Sequence, residues 1–212
     1  MTSTAPSLAT RGAPAPAPPT LRGFEGTQRY WDGVARVWTA HVLPGEFYVT
    51  REDEVLATVL GSCVSVCMRD PVLKIGGMNH FLLPGDGNAR GDTTRYGIVA
   101  LERLINELVK HGGQRERFET KLFGGGRVIG GSLDIGKSNI DFVHRYLHDE
   151  QLAVAAEDVG GNLARRVRYH PVSGKIRLLR MPMTKHLEVE DLARKRAQEL
   201  EKKPATPNIE LF

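Results

Sequence analysis

The chain has 212 residues, 41% of them hydrophobic and 7% aromatic, with 29 Lys and Arg against 25 Asp and Glu for a formal net charge of +4. That suits one domain of ordinary size plus tails, and no window nears the roughly 18 consecutive apolar residues of a membrane-spanning helix, which argues against membrane insertion. The basic residues are scattered, and short clusters such as Arg165-Arg166-Val167-Arg168 and Arg194-Lys195-Arg196 carry no interleaved aromatics, which argues against nucleic acid.

Residues 1–20 are rich in Ala, Pro, Ser and Thr and too poor in large apolar groups to offset ordering entropy, so they read as a disordered leader. Residues 21–43 carry Phe24, Tyr30, Trp31, Trp38 and Val42, too apolar for a linker, and read as an N-terminal extension that packs on the domain or on a partner. The domain proper is expected over 44–182. Residues 46–50 are β-prone, 55–60 and 64–68 are short apolar runs divided by Gly61-Ser62, and 74–83 is a further run ending at Pro84. A polar, Gly-rich loop over 84–92 follows. The next helix, capped by Asp92, Thr93 or Thr94, places Tyr96, Val99, Leu101, Leu104, Ile105 and Leu108 at three- and four-residue steps and stops at Gly112-Gly113.

Beyond it, 118–123 reads as a strand into the turn Gly124-Gly125-Gly126, and 136–148 as a helix with Ile140, Val143 and Leu147 inward. Residues 151–158 read as a strand, and 164–169 with 175–180 as a hairpin about 171–174. Residues 183–212 hold a charged helical run, 189–203, and a Pro-containing tail. Short strands in succession with two main helices predict an α+β fold, a layered sandwich of mostly antiparallel sheet.

Cys63 carries the chemistry. A thiol attacks a carbonyl as thiolate, and a cysteine with a pKa of about 8.5 is mostly protonated at neutral pH, so an imidazole or a backbone dipole has to activate it. Gly61 permits a tight turn, and N–H groups around Ser62 and Cys63 are candidates to face a developing oxyanion. A hairpin through 69–72 would lay the strand starting at Cys63 beside the one carrying His80, which makes His80 the natural base. Ser62 is the weaker nucleophile, and Cys67, flanked by Val66 and Met68, reads as a buried structural thiol.

A zinc site from Cys63, Cys67, His80 and His111 matches no recurring ligand spacing. Gly124-Gly125-Gly126-Arg127 lacks the Lys-Ser/Thr that a phosphate-binding loop needs and reads as a tight turn. His144, His148, His170 and His186 show no catalytic pairing and read as surface. The two cysteines make no disulfide framework and the N-terminus has no apolar signal core, so a reducing cytoplasm is expected.

Three stretches, Leu60-Gly61-Ser62-Cys63-Val64, Gly77-Met78-Asn79-His80-Phe81-Leu82-Leu83-Pro84 and Ala156-Glu157-Asp158-Val159-Gly160-Gly161-Asn162, together resemble the bacterial chemoreceptor glutamine deamidases of the CheD family. The resemblance runs from about residue 44 to 179. It implies hydrolysis of particular glutamine side chains to glutamate on methyl-accepting chemotaxis receptors, through a Cys63 thioester with His80 as base and then acid. It also implies a sandwich similar to the catalytic domains of deamidating toxins, with neither cofactor nor metal.

The family's cysteine and histidine are supported by a threonine shortly before the cysteine. Thr58 is the one threonine nearby, and the matching position falls on it or on Ala57. Gly61 and Ser62 supply the oxyanion backbone, and Asn79, Asp86 and Gly87 are assigned to the substrate, the 84–92 loop being placed to meet a receptor helix. Two other readings stand beside this one. In the first, a non-catalytic chemotaxis protein engages receptors or a CheC-type phosphatase, which some members of the family bind. In the second, a cysteine peptidase shares the nucleophile but cleaves backbone.

Overall fold

Alternating inward and outward side chains build ten strands and two α-helices among the described residues, which in the computed structural model are 15–83, 90–127 and 134–182, the side chains of 90–95 excepted. In chain order they are β1 (Arg29–Asp32), β2 (Val37–His41), β3 (Phe47–Thr50), β4 (Glu54–Leu60), β5 (Val64–Asp70) and β6 (Ile75–Asn79). Then come α1 (Arg90–Lys110), β7 (Glu119–Gly124), α2 (Ile135–Asp149), β8 (Val154–Val159), β9 (Leu163–His170) and β10 (Lys175–Pro182).

The strands form two five-stranded sheets, ordered β1-β2-β4-β9-β10 and β3-β6-β5-β7-β8. Neighbours are antiparallel except β2 with β4 and β7 with β8. The expected α+β sandwich of mostly antiparallel sheets is therefore what forms.

Period-two parity sorts the core into two layers. Leu56, Thr58, Leu60, Val167 and Tyr169 of the first sheet face Cys67, Met78 and His80 of the second. On the second sheet's other face, Val64, Val66, Met68 and Phe81 lie under Leu101, Leu104 and Leu108 of α1 and Val143 and Leu147 of α2. Burying each such aliphatic or aromatic side chain contributes about 1.5–3 kcal/mol, so both layers are needed to hold the sheets together.

Local chemistry sets the β5–β6 hairpin. Asp70 Oδ1 accepts from the N–H groups of Val72 (2.9 Å) and Leu73 (3.1 Å), and its Oδ2 accepts from Arg117 Nε (2.9 Å) and Gln114 N–H (3.1 Å). Burial opposes ionisation of Asp70, but the Arg117 guanidinium and these N–H donors outweigh it and hold its pKa at about 2.

Several boundaries differ from expectation. α1 begins at Arg90, so Asp92, Thr93 and Thr94 lie within the helix and not ahead of it. β8 starts at Val154, because Gln151 takes a positive φ of 57° to leave α2.

Residues 21–43 supply β1 and β2, and β2 pairs with β4 inside the first sheet. Phe24 is buried edge-on against Phe47 and Tyr48. Of the expected leader, residues 15–20 dock on this unit: Trp38 Nε1 donates to Ala15 C=O (2.9 Å) and Arg29 Nη1 to Pro18 C=O (2.7 Å). The remainder of that leader, residues 1–14, and the expected C-terminal helix and tail fall outside the described residues.

Candidate active site

The site grows from an interruption of the β5–β6 ladder. Pairing is regular from Asp70–Ile75 to Cys67–Met78 and then breaks, with the Val66 N–H donated to the side-chain Oδ1 of Asn79 (2.8 Å). It returns for one step as the Val64–Phe81 bridge, both bonds at 3.0 Å. In that register Cys63 stands opposite Leu82 and Ser65 opposite His80. Carried one residue past the start of β5 at Val64, that parity puts Cys63 and His80 on one face, the face toward the first sheet, as diagonal neighbours. Both are nearly sealed, Cys63 at 1% and His80 at 2% exposure.

Across the gap between the sheets, Thr58 of β4 meets the imidazole. Its Oγ1 lies 2.8 Å from His80 Nδ1 and 2.8 Å from the Val42 carbonyl oxygen. A carbonyl only accepts, so the hydroxyl hydrogen goes to Val42 and the hydroxyl oxygen accepts from Nδ1–H. That assigns the tautomer: Nδ1 carries the proton, also 3.4 Å from the Val42 oxygen, and Nε2 presents a lone pair. Among the described residues Nε2 makes no hydrogen bond.

Burial, ahead of every other cause, pushes the His80 pKa down to about 4. The Val42 carbonyl works against this, and a positive charge on His41 would add to it. At neutral pH the ring is therefore uncharged. Ala57 points to the opposite face of its strand, whereas Thr58 bonds the histidine.

The turn Gly61-Ser62-Cys63 is held by its carbonyls. Gly126 N–H donates to Gly61 C=O (2.7 Å), Gly125 N–H to Cys63 C=O (2.7 Å), and Asn139 Nδ2 of α2 to Ser62 C=O (2.9 Å). All peptides here are trans, so each N–H points opposite to the carbonyl of its own unit, and the Ser62 and Cys63 N–H groups turn away from Gly126 and α2.

The glycine triplet read as a plain turn is thus the backing of the cysteine turn. Gly124 has φ 106°, and a Cβ there would overlap the Cys63 carbonyl oxygen; a Cβ on Gly136 would overlap the Gly125 and Gly126 carbonyls. Gly124→Ala is expected to lower the unfolding free energy by about 3–5 kcal/mol through overlap and strain together, read from denaturant midpoints. A loss under about 1 kcal/mol would mean that the turn moves off Cys63 at little cost.

The Ala156-Glu157-Asp158-Val159-Gly160-Gly161-Asn162 stretch supports the same turn from behind. Gly160 N–H donates to Gly124 C=O (3.0 Å) and Arg127 N–H to Gly161 C=O (2.7 Å). Asp158 holds Arg165 Nε (2.8 Å) and also pairs with Arg180. Burial opposes the charge of Asp158, yet the two guanidiniums keep its carboxyl below the usual range.

Other expected site residues lie elsewhere. Asn79 does not face a substrate: its Oδ1 serves Val66 and its Nδ2 donates to Ala100 C=O of α1 (3.2 Å), because its parity is opposite to that of His80. Asp86 and Gly87 lie outside the described residues. Cys67 is fully buried, and burial pushes its thiol far above the ordinary cysteine range.

His111 pairs with Glu107 (3.0 Å), and among the described residues no three His, Cys, Asp or Glu side chains converge as metal ligands would. His144 bonds Glu157 and His170 bonds Asp53, both at 2.6 Å, as surface pairs. Sequence reasoning missed Val42 and Asn139. A polar residue on the inward stripe of the second helix was the one available sign of Asn139.

Comparison with known proteins places these features in context. A family described as CheD chemotactic sensory transduction matches residues 82–180, a span that begins just after His80. A probable chemoreceptor glutamine deamidase CheD of Halorhodospira halophila is 45% identical over 203 residues, covering 92% of this chain and 94% of that protein. A protein of the same description from Cupriavidus metallidurans is 49% identical over 197 residues, covering 88% and 90%. A crystal structure of the Bacillus licheniformis hypothetical protein YfiH aligns at 16% identity and a TM-score of 0.32, over 72% of this chain and 45% of that one.

Proposed function

The chain belongs to the CheD family, and from that premise we propose that it hydrolyses the side-chain amide of glutamines on methyl-accepting chemotaxis receptors, yielding glutamate and ammonia. The observation that carries the catalytic part is the Val42–Thr58–His80 relay, which leaves Nε2 neutral and, among the described residues, without a hydrogen bond on the face that carries Cys63.

As the amide enters, the Cys63 proton passes to Nε2 and the sulfur bonds to the amide carbon. Backbone N–H groups at Ser62 and Cys63 meet the oxyanion. The imidazolium returns its proton to the amide nitrogen, the C–N bond breaks and ammonia leaves, with the acyl group held as a thioester. Neutral His80 then takes a proton from water, the hydroxide adds to the thioester, and collapse expels the Cys63 thiolate. The product carboxylate puts a negative charge where the receptor had a neutral amide. Receptor signalling bundles make this a reaction of the cytoplasm, and no helix among the described residues is long and apolar enough to cross a membrane.

The direct test is mass spectrometry of receptor cytoplasmic fragments after incubation with the protein. Each deamidated glutamine gains about one dalton as NH₂ becomes OH. A wild-type protein that leaves every glutamine of its cognate receptors unchanged ends this reading, and backbone fragments in place of the small gain would indicate a peptidase.

Thr58→Val tests the relay. Valine keeps the shape and removes the acceptor, so Nδ1–H retains only the longer Val42 contact and the ring loses its fixed tautomer. Turnover should fall about 10²-fold with KM nearly unchanged. Turnover within a factor of three of wild type would remove Thr58 from the site.

A further inference from the structure

We infer that Asn139 is a positioning residue for the oxyanion donor, acting through the Ser62–Cys63 peptide; the inference rests on the deamidase reading above. In an antiparallel ladder, mutually bonded pairs recur every second residue, so after Val64–Phe81 the next such pair is Ser62–Leu83. There Leu83 N–H would donate to Ser62 C=O. Instead the side-chain amide of Asn139 stands between them: Leu83 N–H donates to Oδ1 (2.8 Å) and Nδ2 donates to Ser62 C=O (2.9 Å).

The inserted amide does two things at the residue before the nucleophile. It holds the ends of β5 and β6 apart by the width of one amide group, beside Cys63 and Leu82. It also anchors the Ser62 carbonyl on α2, so the N–H of the same peptide is directed away from α2. The register puts the thiol on that side too, since Cys63 shares the face of His80 and α2 packs on the other. Donor and nucleophile therefore address one substrate carbonyl from one side.

Asn139 itself is fully buried and touches no reacting group. Both ends of its amide are used, so the site requires a residue with an acceptor and a donor. Asp retains the acceptor for Leu83 but offers Ser62 C=O a second oxygen unless it is protonated.

The test uses the full chain, with kcat and KM for receptor deamidation set beside the rate at which iodoacetamide alkylates Cys63. Alkylation needs the thiolate and access but develops no oxyanion. For Asn139→Asp at neutral pH, kcat should fall about 10- to 100-fold, somewhat less than direct removal of an oxyanion donor, with KM and alkylation within about threefold of wild type. The ratio of variant to wild-type kcat should rise as pH falls, because the protonated carboxyl again donates to Ser62 C=O. Asn139→Ala, which carries no buried charge, should show the same loss of kcat without that pH dependence.

A folded variant of either kind with kcat within threefold of wild type overturns the inference, as does alkylation that falls in step with kcat. Wild-type protein that is alkylated at Cys63 but leaves every receptor glutamine intact would instead overturn the proposed function, and this inference with it.

Discussion

Cys63→Ala protein should show no measurable deamidation, a loss of at least about 10⁴-fold in turnover, while it folds and melts close to wild type. The size of the loss follows from the lack of a substitute. Ser62 is turned by the clamp on its carbonyl, and Cys67, on the same face but four residues into the strand, sits where burial pushes its thiol far up, so it stays protonated and unreactive.

Loss of one sulfur from a buried position costs stability about 1 kcal/mol, too little to unfold a domain with two packed layers. Intact-mass measurement of receptor fragments gives the activity, and thermal melting gives the control. Cys67→Ala should keep near-normal turnover. Retained activity in Cys63→Ala would remove the nucleophile assignment and with it the thioester route.

His80→Gln should lose activity almost as completely, about 10³- to 10⁴-fold, because no base remains for the thiol or for water. It should also change the acid stability in a defined direction. His80 titrates near 6.5 when unfolded and is held at about 4 in the fold. Between those values the unfolded chain holds a proton that the fold does not, so wild-type stability falls as pH drops from about 6.5 to about 4, by about 3 kcal/mol in total. Below about 4 this contribution is spent.

Glutamine keeps an N–H for Thr58 but does not titrate. The unfolding free energy of His80→Gln should therefore be flatter across that window, and the gap between variant and wild type should shift in the variant's favour on acidification. His41, half-buried and lowered first by its own burial, tilts both proteins alike, and Asp70 acts at lower pH, between about 3.8 and 2. Parallel pH profiles for the two proteins would show that His80 is not held neutral in the folded state.

The sequence alone determined the parts of this protein that rest on neighbours in the chain. The β5–β6 hairpin was readable because its turn chemistry lies within it: Asp70 caps its own turn, and alternating apolar runs on either side set the pairing that brings Cys63 and His80 to one face. The two helices were readable from their three- and four-residue stripes, although α1 starts earlier than its cap residues suggested. The family followed from the Gly-Ser-Cys and Asn-His motifs.

What the tertiary structure decided was everything that crosses a layer. Whether Thr58 or Ala57 faces the imidazole depends on how the first sheet stacks on the second, since adjacent residues of a strand point to opposite faces and both are buried here. Asn79, adjacent to His80 in sequence, is for the same reason turned toward α1. Val42 reaches the site because β2 joins the sheet beside β4, and Asn139 because α2 returns from 77 residues away to take the place of a ladder bond. Such contacts depend on which surfaces the whole chain brings together, and the residues that make them carry no local pattern that distinguishes them from other buried polar groups.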